Sequence, residues 1–290
     1  MGLLAQNKIM ITIKRCNNEN NMKFIKLKNF ETVEECLDRN KVIVRALKQE
    51  PALSPVARRI KDCSKYDRCQ HLLCSQCKRE FRLQYVPKVC EFLSRQKSES
   101  RFYAVTLLEP LDANTTKEID IAKLKNNLYQ RLKRLFGDEI IAIGGFDIVL
   151  NTDSENAWKP FFHPHWHLIF ITNLSPKELR EKLKHYYPQT DIIKRPVRVV
   201  AVRSFKRAVS YMFSPYFSRR VRFLNTKREG RNPFYDGREY TLRSSEICKL
   251  AKKLSKNKVS DMLVLYGCRR YATKKKPVND FEFRITQKLG

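Results

Sequence analysis

The sequence predicts an α+β fold, because strand-like and helix-like patterns follow one another in the order β-α-β-β-α-β-α through residues 101–217. The strand-like runs alternate polar and apolar residues or are continuously apolar, whereas the helix-like runs repeat apolar residues every three or four positions. This order is the split βαβ arrangement, also called ferredoxin-like or RRM-like. It places helices on one face of an antiparallel sheet and leaves the other face available.

The first four elements of this series are a strand, a helix and a hairpin. The run RFYAVTLLEP, which begins at Arg101, is predicted as a strand that ends at Pro110. TTKEIDIAKLKNNLYQRLKRLF is predicted as a helix whose apolar face consists of Ile121, Leu124, Leu128, Leu132 and Leu135. EIIAIGGFDIVLN and HPHWHLIFITN are predicted as two strands of a hairpin joined by a polar loop.

The last three elements are a helix, a strand and a helix. Ser175, Pro176 and Glu178 supply a cap, a first-turn proline and a capping-box acid for the helix that runs through ELREKLKHYY. A strand over Arg195–Arg203 and a helix over Ser204–Phe213 complete the series.

Charge is the most unusual property of the composition. The 290 residues include 59 Lys and Arg against 30 Asp and Glu, a net charge of +29. This excess is far more than solubility needs, and it predicts a polyanionic partner, with nucleic acid first and an anionic membrane surface second. No run approaches the ~20 apolar residues of a membrane span, and the N-terminus has no extended apolar signal core, so a soluble cytoplasmic protein is predicted.

The chain divides into four segments. Residues 1–60 are an accessory segment with a predicted helix over Glu31–Gln49, and residues 61–100 hold a cysteine cluster and a basic helix. Residues 101–217 are the α+β domain, and residues 218–290 are a basic segment predicted to bind DNA.

Four of the nine cysteines are close together and predict a zinc site. The pattern is C-x5-C-x4-C-x2-C, formed by Cys63, Cys69, Cys74 and Cys77. Its closing C-x2-C suits a tetrahedral Zn²⁺, with His71 as an alternative ligand; reduced cysteines without a metal are the other interpretation. The basic neighbours expected to contact DNA phosphates are Lys65, Arg68, Lys78, Arg79 and Arg82.

The second hairpin strand carries three alternating histidines. His163, His165 and His167 should project from one face, because strand side chains repeat every two residues. The partner strand offers Asp147, which lies opposite His167 if the turn is centred near Ala157. Imidazole and carboxylate ligands on one face predict a site for a divalent cation, with His163 as a backup ligand. Without a metal, these residues would be ordinary surface or core histidines.

Several of these motifs resemble those of the HUH endonuclease superfamily. HPHWHLIF is similar to the His-hydrophobic-His motif of rolling-circle plasmid replication initiators and related transposases. RFYAVTLLEP resembles the first family motif, with Leu108 in place of its final Thr, and Asp147 falls where relatives place a third metal ligand. SFKRAVSYMFSPYF resembles the motif with the catalytic tyrosine, and the likeness covers Arg101–Phe217 in the family's order.

The resemblance implies a tyrosine nuclease that uses Mg²⁺ or Mn²⁺ at the histidine site. Tyr211, within the last helix, is the predicted nucleophile, and Tyr216 is the alternative. The implied products are a covalent 5′-phosphotyrosine and a free 3′-OH on a single-stranded or hairpin origin, with host helicase and polymerase as further candidate partners. Arg207 stands where some relatives have Glu, and the basic residues predicted to bind DNA are Lys206, Arg207, Arg219 and Arg220.

Other functions fit parts of the sequence. A rolling-circle transposase would use the same chemistry as a replication initiator. A conjugative relaxase is disfavoured, because relaxases usually carry the tyrosine near the N-terminus. A zinc-stabilised DNA-binding regulator without enzymatic activity would account for the charge and leave the histidines incidental.

Overall fold

The computed structural model describes residues 10–13, 23–26, 31–96, 100–110, 119–155, 159–191, 193–225, 234–272 and 280–287. Its helices are α1 (Val33–Leu47), α2 (Ser54–Lys61), α3 (Ser75–Ser94), α4 (Ile121–Phe136), α5 (Pro176–Lys184), α6 (Phe205–Met212) and α7 (Ser244–Lys253). Its first six strands are β1 (Met10–Ile13), β2 (Lys23–Lys26), β3 (Arg101–Leu108), β4 (Ile140–Asp153), β5 (Phe161–Thr172) and β6 (Val197–Ala201). The others are β7 (Ser218–Asn225), β8 (Phe234–Thr241), β9 (Leu263–Tyr266), β10 (Cys268–Ala272) and β11 (Phe281–Ile285).

The predicted α+β class is confirmed, and the main sheet is mixed. Seven strands join in it, six of them in the order β6-β3-β5-β4-β7-β8, with β9 also paired to β4. The pairs among β6, β3, β5 and β4 are antiparallel, as predicted. The prediction of a wholly antiparallel sheet is wrong, because β7 runs parallel to the end of β4. This pairing joins residues far apart in sequence, which local patterns do not report.

The long strand β4 organises the sheet. Its residues from Ile140 to Asn151 pair with β5 on one side. On its other side, residues 142–145 pair with β9 and residues 149–153 pair with β7. The sheet therefore continues past the segment boundary expected at residue 218.

One face of the sheet carries the main aromatic and aliphatic core. Phe146 and Trp166 contact each other edge to face there, and Phe170 packs against Phe136 of α4. Helix α5 lies beside α4, where the Lys182 ammonium group lies over the Phe136 ring. Helix α4 has the predicted amphipathic pattern, begins at the Asp120 cap and ends at Gly137, whose φ of 52° suits a glycine.

The opposite face carries the histidines and is only partly open. Helix α6 crosses it, with Phe205 against Phe102 of β3 and Phe213, just after α6, against Phe81 of α3. The expectation that this face stays available is therefore wrong over β4 and β5. The same expectation is confirmed towards the β6 edge of this face, where Arg198 and Val200 are exposed.

One apolar core joins all four segments. Its buried residues include Leu47 of α1, Phe81 of α3, Trp166 of β5 and Cys268 of β10. Among the described residues, no helix combines the length and the apolar character that a membrane crossing requires.

Candidate metal centres and the tyrosine beside one of them

Asp147, His165 and His167 converge in a buried group on one face of the β4-β5 hairpin. The Asp147 Oδ2 atom lies 3.7 Å from His165 Nε2 and 3.9 Å from His167 Nε2. A cation with bonds of about 2.1 Å can touch two atoms up to about 4.2 Å apart, so this group could bind a metal ion.

The hairpin register differs from the one predicted. Asp147 pairs with His165, and Gly145, not Asp147, lies opposite His167. The predicted pairing is therefore displaced by two residues. Because side chains alternate with a period of two, this displacement leaves Asp147 on the histidine face.

Neighbouring groups orient both imidazole rings. The Nδ1 atom of His165 lies 3.2 Å from the His163 carbonyl oxygen, and the Nδ1 atom of His167 lies 3.2 Å from Thr106 Oγ1. These contacts leave the two Nε2 atoms directed at Asp147. Burial holds the pKa of His167 well below its ordinary value, which favours the neutral imidazole that metals bind.

The Asp147 carboxylate is fixed by its own strand and influenced by a lysine. Its Oδ1 accepts a hydrogen bond from the Ile148 amide at 2.8 Å. Burial raises the pKa of Asp147, and electrostatic interactions with the neighbouring His165 and Lys78 oppose that rise. A metal ion would favour the ionised carboxylate in the same way.

His163 does not join this group, so its role as a backup ligand is not supported. Its Nε2 atom lies 2.8 Å from the carbonyl oxygen of Glu109, which turns the ring away from Asp147. Burial lowers the pKa of His163 to about 4. His163 lies within β5 and helps to hold the end of β3 against it.

Glu109 stabilises the face of β5 opposite the metal-site histidines, and the sequence analysis did not identify it. Its buried carboxylate accepts hydrogen bonds from Trp166 Nε1 at 2.6 Å and from Arg131 at 2.8 Å. Trp166 lies between the two metal-site histidines in sequence, so this contact limits movement of both. The only signal in the sequence was an acid at the end of an apolar strand.

Tyr211 of α6 lies beside the histidine site. Its ring centroid is 4.7 Å from that of His167, and 65% of the residue is exposed. Partial burial and the Asp147 carboxylate raise the pKa of Tyr211, whereas the guanidinium groups of Arg198 and Arg220 lower it. Tyr211 is therefore accessible to a large substrate and close to the candidate metal centre.

Tyr216 lies elsewhere. It follows α6, and the Arg39 guanidinium of α1 lies 4.7 Å from its ring centroid. The structure therefore brings Tyr211, and not Tyr216, against His167.

Two arginines flank Tyr211 on the metal-site face. Arg198 of β6 pairs with Thr106, and Arg220 of β7 pairs with Asn151, so both side chains share the face of Asp147 and His167. Both residues are exposed. The sequence reasoning named Arg220 but missed Arg198, although alternation within PVRVVA could have placed Arg198 on one face of an edge strand.

The other predicted DNA contacts fall into two groups. Lys206 and Arg207 are exposed on the first turn of α6. Arg219 lies on the reverse face of β7, 3.7 Å from a carboxylate oxygen of Glu246 and over the Tyr240 ring. Arg219 and Arg220 therefore lie on opposite faces of the sheet, because consecutive strand residues face opposite ways.

Cys63, Cys69, Cys74 and Cys77 form the second candidate metal centre, the four-cysteine cluster. Cys77 Sγ lies 3.6 Å from both Cys63 Sγ and Cys69 Sγ, and the four sulfur atoms, including that of Cys74, lie within 4.8 Å of one another. Zn–S bonds of about 2.3 Å in a tetrahedron place sulfurs about 3.8 Å apart, so this buried cluster could hold zinc.

Asn40 of α1 supports the four-cysteine cluster. It donates from Nδ2 to Cys74 Sγ at 3.3 Å and accepts from the Ser75 amide at 2.8 Å. His71 is not part of the cluster, because its Nδ1 accepts the Leu73 amide at 3.1 Å.

The basic residues beside the cysteines do not form one DNA-binding surface. Lys78 and Arg82 are buried, which contradicts their predicted role in phosphate binding. Arg82 pairs with Glu31, and Arg79 donates to the Glu31 carbonyl oxygen at 3.0 Å. Lys65 is exposed as expected.

Lys78 is buried near enough to the histidine site to interact electrostatically with Asp147. Its ammonium nitrogen has no hydrogen-bond partner among the described residues and lies 3.3 Å from the centroid of the Phe217 ring. Burial lowers its pKa to about 7, against the opposing effect of Asp147. Since Lys78 follows Cys77 directly, α3 connects the two candidate metal centres.

Comparison with protein-family models, with curated proteins and with solved structures found no match for this chain.

Proposed function

We propose that this protein cuts and rejoins one strand of DNA through attack by Tyr211 on a phosphodiester. The observation that carries the proposal is the contact between the Tyr211 ring and His167, beside a buried group of one carboxylate and two imidazoles. A tyrosine that attacks a DNA strand must be exposed to solvent, and Tyr211 is exposed. A buried ligand group beside it offers the electrostatic help that such a weak nucleophile requires.

Three further features support the HUH type of nuclease. The order β6-β3-β5-β4 is the one expected for a split βαβ sheet. The two histidines of the His-hydrophobic-His motif direct both Nε2 atoms at Asp147. The net charge of +29 suits a nucleic-acid substrate.

The reaction forms one bond and breaks one. The Tyr211 oxygen bonds to phosphorus while the bond from phosphorus to the 3′ oxygen breaks; the phenol proton leaves to solvent, and the departing oxygen gains a proton to become a 3′-OH. Mg²⁺ or Mn²⁺ at Asp147, His165 and His167 would supply charge neutralisation for the phosphate oxygens. The 5′-phosphotyrosine keeps the bond energy, so a 3′-OH can later displace Tyr211 without a nucleotide cofactor.

Arg198 and Arg220 are proposed to hold the phosphate and its neighbours in the strand. Both lie on the face of the metal site, and the positive charge of each favours the ionised phenol of Tyr211. Guanidinium groups also form bidentate hydrogen bonds with phosphate oxygens.

The biological role that fits this chemistry best is initiation of rolling-circle replication on a single-stranded or hairpin origin. The 3′-OH released by Tyr211 would prime synthesis, with host helicase and polymerase as partners. A rolling-circle transposase uses the same bond exchange, and the sequence of the DNA recovered with the protein distinguishes an origin from an element end.

A single experiment tests the proposal and finds the DNA substrate. The zinc-loaded protein is incubated with Mn²⁺ and a random single-stranded DNA library, and covalent adducts are isolated in denaturing detergent and sequenced. We expect an adduct at Tyr211 by mass spectrometry. Tyr211→Phe should abolish it, and Tyr216→Phe, the matched control, should retain it.

A zinc-stabilised DNA-binding regulator is the second candidate, favoured by the buried four-cysteine cluster and the charge. It predicts a mobility shift with the same library and no adduct with either metal. An adduct at Tyr216 would also contradict the proposed mechanism.

A further inference from the structure

The loop between the first two residues of the four-cysteine cluster presents an aromatic ring to solvent. Tyr66, in the loop from Cys63 to Cys69, is 94% exposed, so almost none of its ring packs against the protein. Exposed aromatic rings that neighbour basic residues are the usual platforms for unpaired nucleic-acid bases.

Hydrogen bonds fix the backbone of the loop that carries this ring. The Ser64 amide donates to the Asp67 carbonyl oxygen, and the Asp67 amide donates to Ser64 Oγ, each at 3.0 Å. Gln76 of α3 donates to the Cys63 carbonyl oxygen at 3.2 Å, and the two flanking cysteines belong to the four-cysteine cluster. A fixed loop loses little conformational entropy when it binds.

A groove of about 380 Å³ lies beside the loop. Arg58, Arg59 and Arg68 line it, together with Asp62 and Asp67. Arg68 is held by Gln76 and Glu80, whereas Arg58 and Arg59 are exposed and have no ion pair within the part of the chain that the structure describes. Two such guanidinium groups beside an exposed ring suit a nucleotide, which has one anionic group and one flat base.

We propose that this loop and groove bind an unpaired nucleotide of the DNA, with the base stacked on Tyr66 and the phosphate against Arg58 and Arg59. This second binding site depends on the proposed function only in taking DNA as its partner. It is separate from Tyr211 and His167, and it gives the four-cysteine cluster a role in holding the strand.

Fluorescence anisotropy with a labelled thirty-nucleotide oligothymidylate tests the stacking. Tyr66→Ala and Tyr66→Leu should each weaken binding about 5- to 100-fold, because base stacking on an aromatic ring is lost. Tyr66→Phe should stay within about twofold of the wild type, because Phe keeps the stacking ring. The proposal would be overturned if Tyr66→Leu bound the oligothymidylate as tightly as the wild type. It would also be overturned if the Tyr66 variants lost the same affinity for a labelled duplex as for the single strand.

Salt dependence tests the arginines. Replacing Arg58 and Arg59 together with Ala should reduce the slope of log K against log salt by about 0.7, the value for one phosphate contact of single-stranded DNA. The matched control is Lys177→Ala with Arg180→Ala on α5, which lies beside the opposite face of the sheet and should leave the slope unchanged. An equal change in both double variants would indicate general charge attraction and contradict a site at this groove.

The two proposals fail separately. The Tyr66 variants should bind zinc in the wild-type ratio and still form the Tyr211 adduct at saturating DNA. A wild-type protein without any adduct refutes the proposed function, and the oligothymidylate results still decide the role of Tyr66.

Discussion

Gly145 controls how closely Tyr211 approaches the histidine site. It lies opposite His167, where a Cβ atom would be 2.8 Å from the Met212 carbonyl oxygen and 2.9 Å from the Phe213 ring. Ordinary contacts of a Cβ begin at 3.4 Å, so Gly145→Ala must push the end of α6 outward by roughly 0.6 Å. Such overpacking costs about 1–3 kcal/mol of folding stability. Since Tyr211 directly precedes Met212, this proposed nucleophile should move with that end of the helix.

The expected result is a slower reaction in a folded protein. A displacement of about 1 Å can reduce a rate about 100-fold, so we expect Gly145→Ala to slow adduct formation about 10- to 100-fold. Single-turnover cleavage of a labelled oligonucleotide with Mn²⁺ measures the rate, and urea unfolding measures the stability.

Gly137→Ala is the matched control for lost stability. Gly137 has a φ of 52° and a ψ of −118°, a combination that glycine adopts far more readily than alanine, and a Cβ there would meet nothing within 4 Å, so only backbone strain of about 1–3 kcal/mol is expected. It ends α4 on the other side of the sheet and should leave the cleavage rate unchanged. Equal rate losses in the two variants, or an unchanged rate in Gly145→Ala, would refute the argument that α6 positions Tyr211.

Three further changes probe the two candidate metal centres and the proposed phosphate contact. Asp147→Asn should weaken Mn²⁺ binding by about 100-fold or more by isothermal titration calorimetry, since it removes the only charged ligand of this group; unchanged affinity would exclude Asp147 as a ligand. Cys74→Ser should release zinc, measured with a chelating dye, and lower the thermal midpoint, because the four thiolates hold the start of α3. Arg198→Ala should slow adduct formation roughly 10- to 100-fold with Mn²⁺ affinity unchanged, as expected for one lost charged hydrogen bond; a loss of Mn²⁺ binding instead would show that Arg198 acts on the metal site.

Local periodicity was enough to predict the central part of the fold. The period of two in HPHWHLIF placed His165 and His167 on one face and Trp166 in the core, and both placements are confirmed. The capping residues from Ser175 to Glu178 gave the start of α5 to the residue. These features depend on neighbours within a few positions, which a sequence shows directly.

Long-range pairing was beyond the same reasoning. The parallel contact of β7 with β4, and the two-residue displacement of Asp147 from its predicted partner, depend on loop geometry and on packing between distant segments. The burial of Lys78 and Arg82 was also missed, because a basic helix beside a metal cluster is usually solvated. Lys78 lies over the Phe217 ring and Arg82 pairs with Glu31, and both of these contacts join residues far apart in the sequence.

The first turn of α3 has a consequence for how the protein responds to metal loss. Its residues Cys77 and Lys78 are consecutive. The Cys77 thiol belongs to the four-cysteine cluster, whereas the Lys78 ammonium group interacts electrostatically with Asp147. No hydrogen bond within the described residues holds the Lys78 amine, so its position depends on helix α3 and on its contact with the Phe217 ring. Under the proposed function, oxidation or chelation at the thiols would therefore disturb Lys78 beside the candidate metal centre, and adduct formation would fall before the sheet unfolded.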